Sequence, residues 1–192
     1  MPKNALREEL LARRAALSRD EWLQASCAAQ QRLLGMQLFS EADCIALYAP
    51  IRQELDTTLL FHAARVQGKR LLYPQVSGDL LVFRQVEREA DLVAGSFGVL
   101  EPGSALPAVP VESAQLIVVP GVAFDSRGGR IGFGKGFYDR ALVGCAPQID
   151  LVGFCHDFQV VASIPAEPHD VRMKYVVTDA RCIRVGTGDK PD

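Results

Sequence analysis

The chain has 192 residues, 48% of them hydrophobic and 23% charged, with a formal net charge of −2. That length suits one domain with a substantial core, within the roughly 100–200 residues of a typical unit, and the composition excludes a disordered chain. The balance also lacks the clustered basic surplus that duplex phosphates demand, so nucleic acid is not an expected partner.

Residues 3–17 carry Leu6, Leu10, Leu11 and Leu17 among Arg and Glu, the spacing of an amphipathic helix with one buried stripe. Charges this close to the N-terminus do not fit a signal peptide, and no apolar run approaches the about 20 residues of a membrane span. A cytoplasmic protein with no membrane partner is expected. Ser18 and Glu21 have capping-box spacing at the start of a second helix, which Gly35 closes. The pattern then changes to short apolar runs. Residues 44–48 read as a buried strand, Asp56 caps a helix over residues 57–67 that stops at Gly68, and residues 69–73 form a strand ended by Pro74.

A strand over residues 80–86 follows, then a Pro- and Gly-rich connection over residues 95–110, long enough to fold over a site. Residues 116–120 are the clearest buried strand. A glycine-rich loop over residues 121–136 leads into a helix over residues 137–143, and strands recur over residues 150–154, 175–178 and 182–185. Strands alternating with helices imply a mostly parallel sheet covered on both faces, in a single α/β domain over residues 1–185 with a flexible tail at 186–192. Ligands of such sheets bind beyond the carboxyl ends of the strands, which gathers residues 48–56, 121–139, 155–159 and Thr178 on one edge.

The chemistry concentrates in Gly128-Gly-Arg-Ile-Gly-Phe-Gly-Lys-Gly-Phe-Tyr-Asp139. Glycine permits positive φ, so successive amides can point inward around an anion, while Arg130 and Lys135 add charge and the following helix start adds its dipole. Two familiar phosphate motifs fail: Gly136 stands where a P-loop has Ser or Thr, and Gly132, Gly134 and Gly136 do not have the dinucleotide-binding spacing. The bland alternative is a flexible surface turn. Asp139, in the first helical turn, either favours the helix dipole or holds Mg2+ beside bound phosphates, with Asp170 as a second carboxylate. Five dispersed cysteines form no C-x-x-C pair, and Cys155-His156 are strand neighbours facing opposite ways, a poor nucleophile and base.

Pro120-Gly-Val-Ala-Phe-Asp125 followed by Gly129-Arg-Ile-Gly-Phe-Gly-Lys-Gly-Phe-Tyr-Asp-Arg140 resembles the signature of the 5-formyltetrahydrofolate cyclo-ligase family. Further pieces match in order: Lys3 and Arg7, Glu54-Leu-Asp56-Thr57, Phe97-Gly-Val-Leu-Glu-Pro102, Val152-Gly-Phe154 through Gln159, Pro165, His169-Asp170 and Val176-Val-Thr178. The resemblance implies an enzyme on the three-layer αβα architecture shared with sugar-phosphate isomerases and coenzyme A transferases; a monomer is the expected state. It implies ATP- and Mg2+-dependent closure of 5-formyltetrahydrofolate to 5,10-methenyltetrahydrofolate through a phosphorylated formyl group, releasing ADP and phosphate. By the same resemblance Lys3, Arg7, Arg130, Ile131, Gly132, Phe133, Gly134, Lys135, Gly136, Phe137 and Tyr138 bind ATP. Arg130 and Lys135 act in catalysis, Glu54 and Tyr138 meet the folate, and Asp139 and Asp170 hold the metal. Rival expectations are a sugar-phosphate isomerase and a non-catalytic folate or nucleotide binder. Three departures from the family pattern stand out: Lys174 where an acid is usual, Phe133 as the aromatic after Gly132, and Phe137 where Tyr is common.

Overall fold

The computed structural model describes residues 2–95, 98–145, 147–165, 167 and 170–186. Phe97, His169 and all but the first residue of the expected tail therefore lie outside the described residues. Helix α1 (Lys3–Ala15) and helix α2 (Arg19–Leu34) open the chain. The Ser18 hydroxyl accepts the Glu21 amide while the Glu21 carboxylate accepts the Ser18 amide, so the expected capping box forms. Helices α3 (Gln37–Glu41), α4 (Thr58–Val66) and α5 (Phe137–Leu142) complete the helical set. Asp56 Oδ1 accepts the amides of Thr57 and Thr58, the cap expected for α4.

The main sheet has seven strands. In chain order these are β1 (Cys44–Ala46), β2 (Arg70–Ser77), β3 (Leu80–Val86), β6 (Leu116–Pro120), β9 (Asp150–Phe154), β11 (Tyr175–Val177) and β12 (Cys182–Arg184). Their spatial order is β12-β11-β9-β6-β1-β2-β3, parallel from β11 to β2 and antiparallel at both edges. The small strands are β4 (Leu92–Ala94) paired with β5 (Leu100–Pro102), and β7 (Ala123–Asp125) between β8 (Arg130–Ile131) and β10 (Val160–Val161). The expected mostly parallel α/β fold is present.

Period-two alternation divides the core. Ile45, Leu71, Leu116, Val118, Val152 and Val177 face the layer of α2, α3 and α4, where Leu33, Phe39 and Leu60 cover them. Ala46, Leu72, Ile117, Val119, Leu151 and Val176 face the other way, onto Phe83, Phe124, Leu142 and Met173. That second face is covered by one short helix, a hairpin strand and loops. A third cluster joins α1 to the small sheet through Leu10, Val122, Ile131 and Ile164.

Three expectations fail: the connection over residues 95–110 holds β5, the loop over residues 121–136 holds β7 and β8, and the third concerns a proline. Pro74 does not end β2, which continues to Ser77 in an antiparallel hairpin with β3. Leu72 turns its carbonyl toward β1, where the Leu47 amide donates to it, so Pro74, two residues on, turns its missing N–H to the same side. There β1 has already ended at Ala46, and no ladder bond is lost. None of the helices among the described residues is long and apolar enough to cross a membrane.

Candidate active site

At the carboxyl edge of the parallel strands lies a cavity of about 600 Å³, within the usual roughly 300–1,000 Å³ of small-molecule sites. All the expected site residues line it: Lys3 and Arg7 from α1, Glu54 from the loop after β1, Arg130 through Asp139, and Asp170. The expected contribution of residues 155–159 and Thr178 does not reach the cavity. These residues support the wall behind it.

The glycine loop is shaped by Asp125. This buried carboxylate accepts the amides of Arg127, Gly129 and Ile164, closing the turn that sends β8 back along β7. Gly128 is required in that turn. Its φ is +81°, and a Cβ there would lie 2.3 Å from the Met173 carbonyl oxygen. Beyond β8, Gly134 and Gly136 also take positive φ, at +92° and +66°. Among the described residues, the amides of residues 133–136 donate to no protein acceptor. The expected dipole is weaker than foreseen, because α5 has only six residues. Free loop amides and side-chain cations carry the anion-binding potential instead.

The cations differ in their commitments. Lys135 is exposed with no ion-pair partner among the described residues. Arg7 lies along the loop, its Nε donating to the Gly132 carbonyl at 2.9 Å. Arg130 is buried and already engaged: Nη2 donates to Asp139 Oδ1 at 2.8 Å, Nη1 to the Pro120 carbonyl, and the guanidinium lies over Tyr138. Its Nε has no partner. Lys3 Nζ pairs with Glu167 at 2.7 Å and approaches Asp170 at 3.6 Å, contacts that raise its pKa, the Glu167 hydrogen bond most.

Glu54 is held in place from several sides. Arg52 and Gln53 both adopt positive φ, the Trp22 indole donates to the Glu54 carbonyl, and His156 Nε2 donates to the Gln53 carbonyl. The residue is 4% exposed, and among the described residues only the Ile51 amide binds the carboxylate directly, at Oε2. Burial raises its pKa to about 7, against the pull of the Arg14 guanidinium, whose Nη1 stands 4.0 Å from Oε1. Burial also raises the pKa values of the Tyr138 and Tyr48 phenols.

Among the described residues no three acids or histidines cluster as a metal cage. Asp139 and Asp170 nevertheless share the cavity wall with the glycine loop, a donor set that fits Mg2+, which takes one or two carboxylates and leaves its other positions to phosphate oxygens and water.

Sequence reasoning gave no site role to Arg14, Arg52 or Glu167, nor to Glu101, which it quoted only within the matching piece at residues 97–102. One signal was present: Lys3, Arg7 and Arg14 recur at helical spacing, a stripe of cations sharing a face with Leu10. The structure also places Cys155, His156 and Lys174. Cys155 packs into the second core with its thiol pKa raised by burial, while His156 turns away to Gln53 and stacks on Phe158, so no thiol-histidine pair exists. Lys174 pairs with Asp150, at the amino end of β9, and does not line the cavity.

A cationic glycine loop facing buried carboxylates at the carboxyl edge of a parallel sheet makes a small-molecule site where α/β proteins place theirs. Residues 1–179 match the model of the 5-formyltetrahydrofolate cyclo-ligase family, and the chain belongs to that family of ligases. It is 35% identical to the 5-formyltetrahydrofolate cyclo-ligase of Mycolicibacterium smegmatis over 79% of this chain and 80% of that one. It is 31% identical to the Escherichia coli K12 protein of that name over 88% and 96%. The NMR structure of Aquifex aeolicus 5,10-methenyltetrahydrofolate synthetase superimposes with a TM-score of 0.85 at 34% identity, covering 100% of this chain and 97% of that one. The isomerase alternative falls with the family match.

Proposed function

We propose that the protein closes 5-formyltetrahydrofolate to 5,10-methenyltetrahydrofolate at the expense of ATP, with Mg2+ as the metal. The observation that carries the ATP half of this reading is the run of uncommitted amides at residues 133–136 beside Arg7 and Lys135. Four consecutive donors without protein acceptors, flanked by cations, suit a polyphosphate.

An amide oxygen is a poor leaving group, so ring closure needs it converted into phosphate. The formyl oxygen attacks the γ-phosphorus as the bond to ADP breaks. N10 of the folate then adds to the activated formyl carbon, loses its proton, and expels phosphate. This chemistry asks for positioning and charge stabilisation rather than a side-chain nucleophile. Lys135 and the loop amides meet the charge that grows on the transferring phosphoryl oxygens, and Lys3 and Arg7 hold the nucleotide. Arg130 acts through its pairing with Asp139 and its contact with Tyr138, which orient the cavity floor. Asp139 and Asp170 would hold Mg2+, which supplies Lewis-acid neutralisation of phosphate charge. Glu54 accepts the paired N–H donors of the pterin edge in its ionised form.

The test is direct. Purified protein is mixed with 5-formyltetrahydrofolate, ATP and Mg2+, and the near-ultraviolet absorbance of the methenyl product is followed alongside released ADP. The expected result is one ADP for each methenyl product and no turnover when ATP or Mg2+ is left out. A folded protein giving no product overturns the proposal in favour of a non-catalytic binder.

A further inference from the structure

A second buried carboxylate, Glu101, lines the cavity without any part in the chemistry above. It lies on β5 and is 5% exposed, yet Oε1 has no hydrogen-bond partner and the residue forms no ion pair among the described residues. The group is seated rather than loose: a Cβ at Gly95 would fall 2.5 Å from its Cδ and Oε2, so the absence of a side chain there makes room for it. Burying a carboxylate without a donor is costly, and such a cost is retained where a ligand supplies the missing donor.

Topology says which ligand. The phosphate-binding cations Lys3 and Arg7 come from α1, which packs on the small sheet through β7. Glu101 lies on β5, which packs on β2 and is tied to it by a hydrogen bond from Gln75 to the Pro102 carbonyl. β2 is the neighbour of β1, whose following loop carries Glu54. The wall that β2, β3 and the residue before β5 give to the cavity is apolar, made by Pro74, Val76, Leu81 and Val99. An acceptor set in an apolar wall repels phosphate and suits a flat heterocycle with N–H donors.

We propose that Glu101 is a specificity-determining residue that accepts a second N–H donor of the reduced folate, on the Glu54 side of the cavity and apart from the nucleotide. The proposal rests on the folate reading above.

The experiment compares the wild-type protein with Glu101→Leu and Glu101→Gln by KM for each substrate, by equilibrium binding of 5-formyltetrahydrofolate without ATP, and by thermal melting. Loss of a hydrogen bond to a charged group predicts a folate KM and Kd raised roughly 10- to 100-fold in Glu101→Leu. The ATP KM should stay within about twofold, and Tm should not fall, because the removed group was unsatisfied. Glu101→Gln, which keeps one acceptor, should lie between. An unchanged folate KM and Kd, or a joint rise in both KM values with a lowered Tm, overturns the role. Wild-type protein that binds the folate without turning it over refutes the reaction and leaves the Glu101 binding test decisive; wild-type protein that binds none refutes both.

Discussion

Arg14→Met removes the cation that opposes the burial of Glu54 while keeping most of the side-chain volume. Arg14 is 1% exposed, its Nε and Nη2 have no partners among the described residues, and Nη1 stands 4.0 Å from Glu54 Oε1. At an effective dielectric constant of about 20, two unit charges at that separation interact by roughly 4 kcal/mol, equivalent to about 3 pH units of carboxyl pKa. Local relaxation and entering water reduce that, so a rise of about 1–3 pH units above the present value of about 7 is expected. If ionised Glu54 binds the pterin, kcat/KM for the folate climbs with pH through an acid limb near 7 in the wild type. In Arg14→Met that limb moves up by the same 1–3 units or so, while the limb for ATP stays where it is.

Stability supplies a second reading of the same group. Glu54 holds its proton more tightly in the folded protein, at about 7, than at its ordinary 4.5, so protonation between those values favours the fold. Its contribution is therefore fully present below about 4.5, is lost as pH rises through 7, and is flat above, a change of about 3 kcal/mol. Melts of the unliganded protein against pH, differenced against Glu54→Gln to cancel other groups, isolate it. Superimposable folate pH profiles for Arg14→Met and wild type, in a protein that melts normally, would refute the electrostatic link between the two residues.

Lys135→Ala should reduce turnover by roughly 10²- to 10³-fold with folate binding and Tm unchanged, as read by initial rates and melting, because an exposed cation here serves only transferring phosphate. Gly128→Ala forces a Cβ toward the Met173 carbonyl at positive φ, which costs about 2 kcal/mol or more and should lower Tm by roughly 4–8 °C in a thermal scan. Lys174→Asp sets two acids together in place of the Asp150 pair. Since the pair is partly exposed and off the cavity, Tm should fall by no more than about 4 °C while the Mg2+ dependence of turnover stays as in the wild type.

The parts of the fold visible in the sequence are those fixed by local chemistry. Ser18 and Glu21 close a box with each other, Asp56 reaches the next two amides, and residues 80–86 and 150–154 carry enough β-branched and apolar side chains to be read as strands. Pro74 misled because its cost depends on where a neighbouring strand ends, which no local pattern records. The glycine loop was legible for a related reason: glycine is chosen where backbone geometry leaves no alternative, and Gly128 shows that pressure directly.

Buried charges were illegible, and the reason matters for function. Nothing local to the helix distinguishes Arg14 from a surface cation, since Glu54, which it meets at 4.0 Å, lies 40 residues away; nothing next to Glu101 in the chain shows that Gly95 makes room for it. In three dimensions these groups identify the site without any motif. Among the described residues, the buried side-chain polar atoms that lack partners belong to Arg14, Gln53, Glu54, Glu101 and Arg130. Glu54, Glu101 and Arg130 line the cavity itself, while Arg14 and Gln53 stand directly behind Glu54. A fold that satisfies its buried polar groups elsewhere and leaves donors and acceptors open together is complementary to a ligand bearing both. A molecule that joins N–H-rich rings to a formyl oxygen, held beside a nucleotide, has that pattern, and on the proposed reading the unsatisfied atoms are where its two halves would bind.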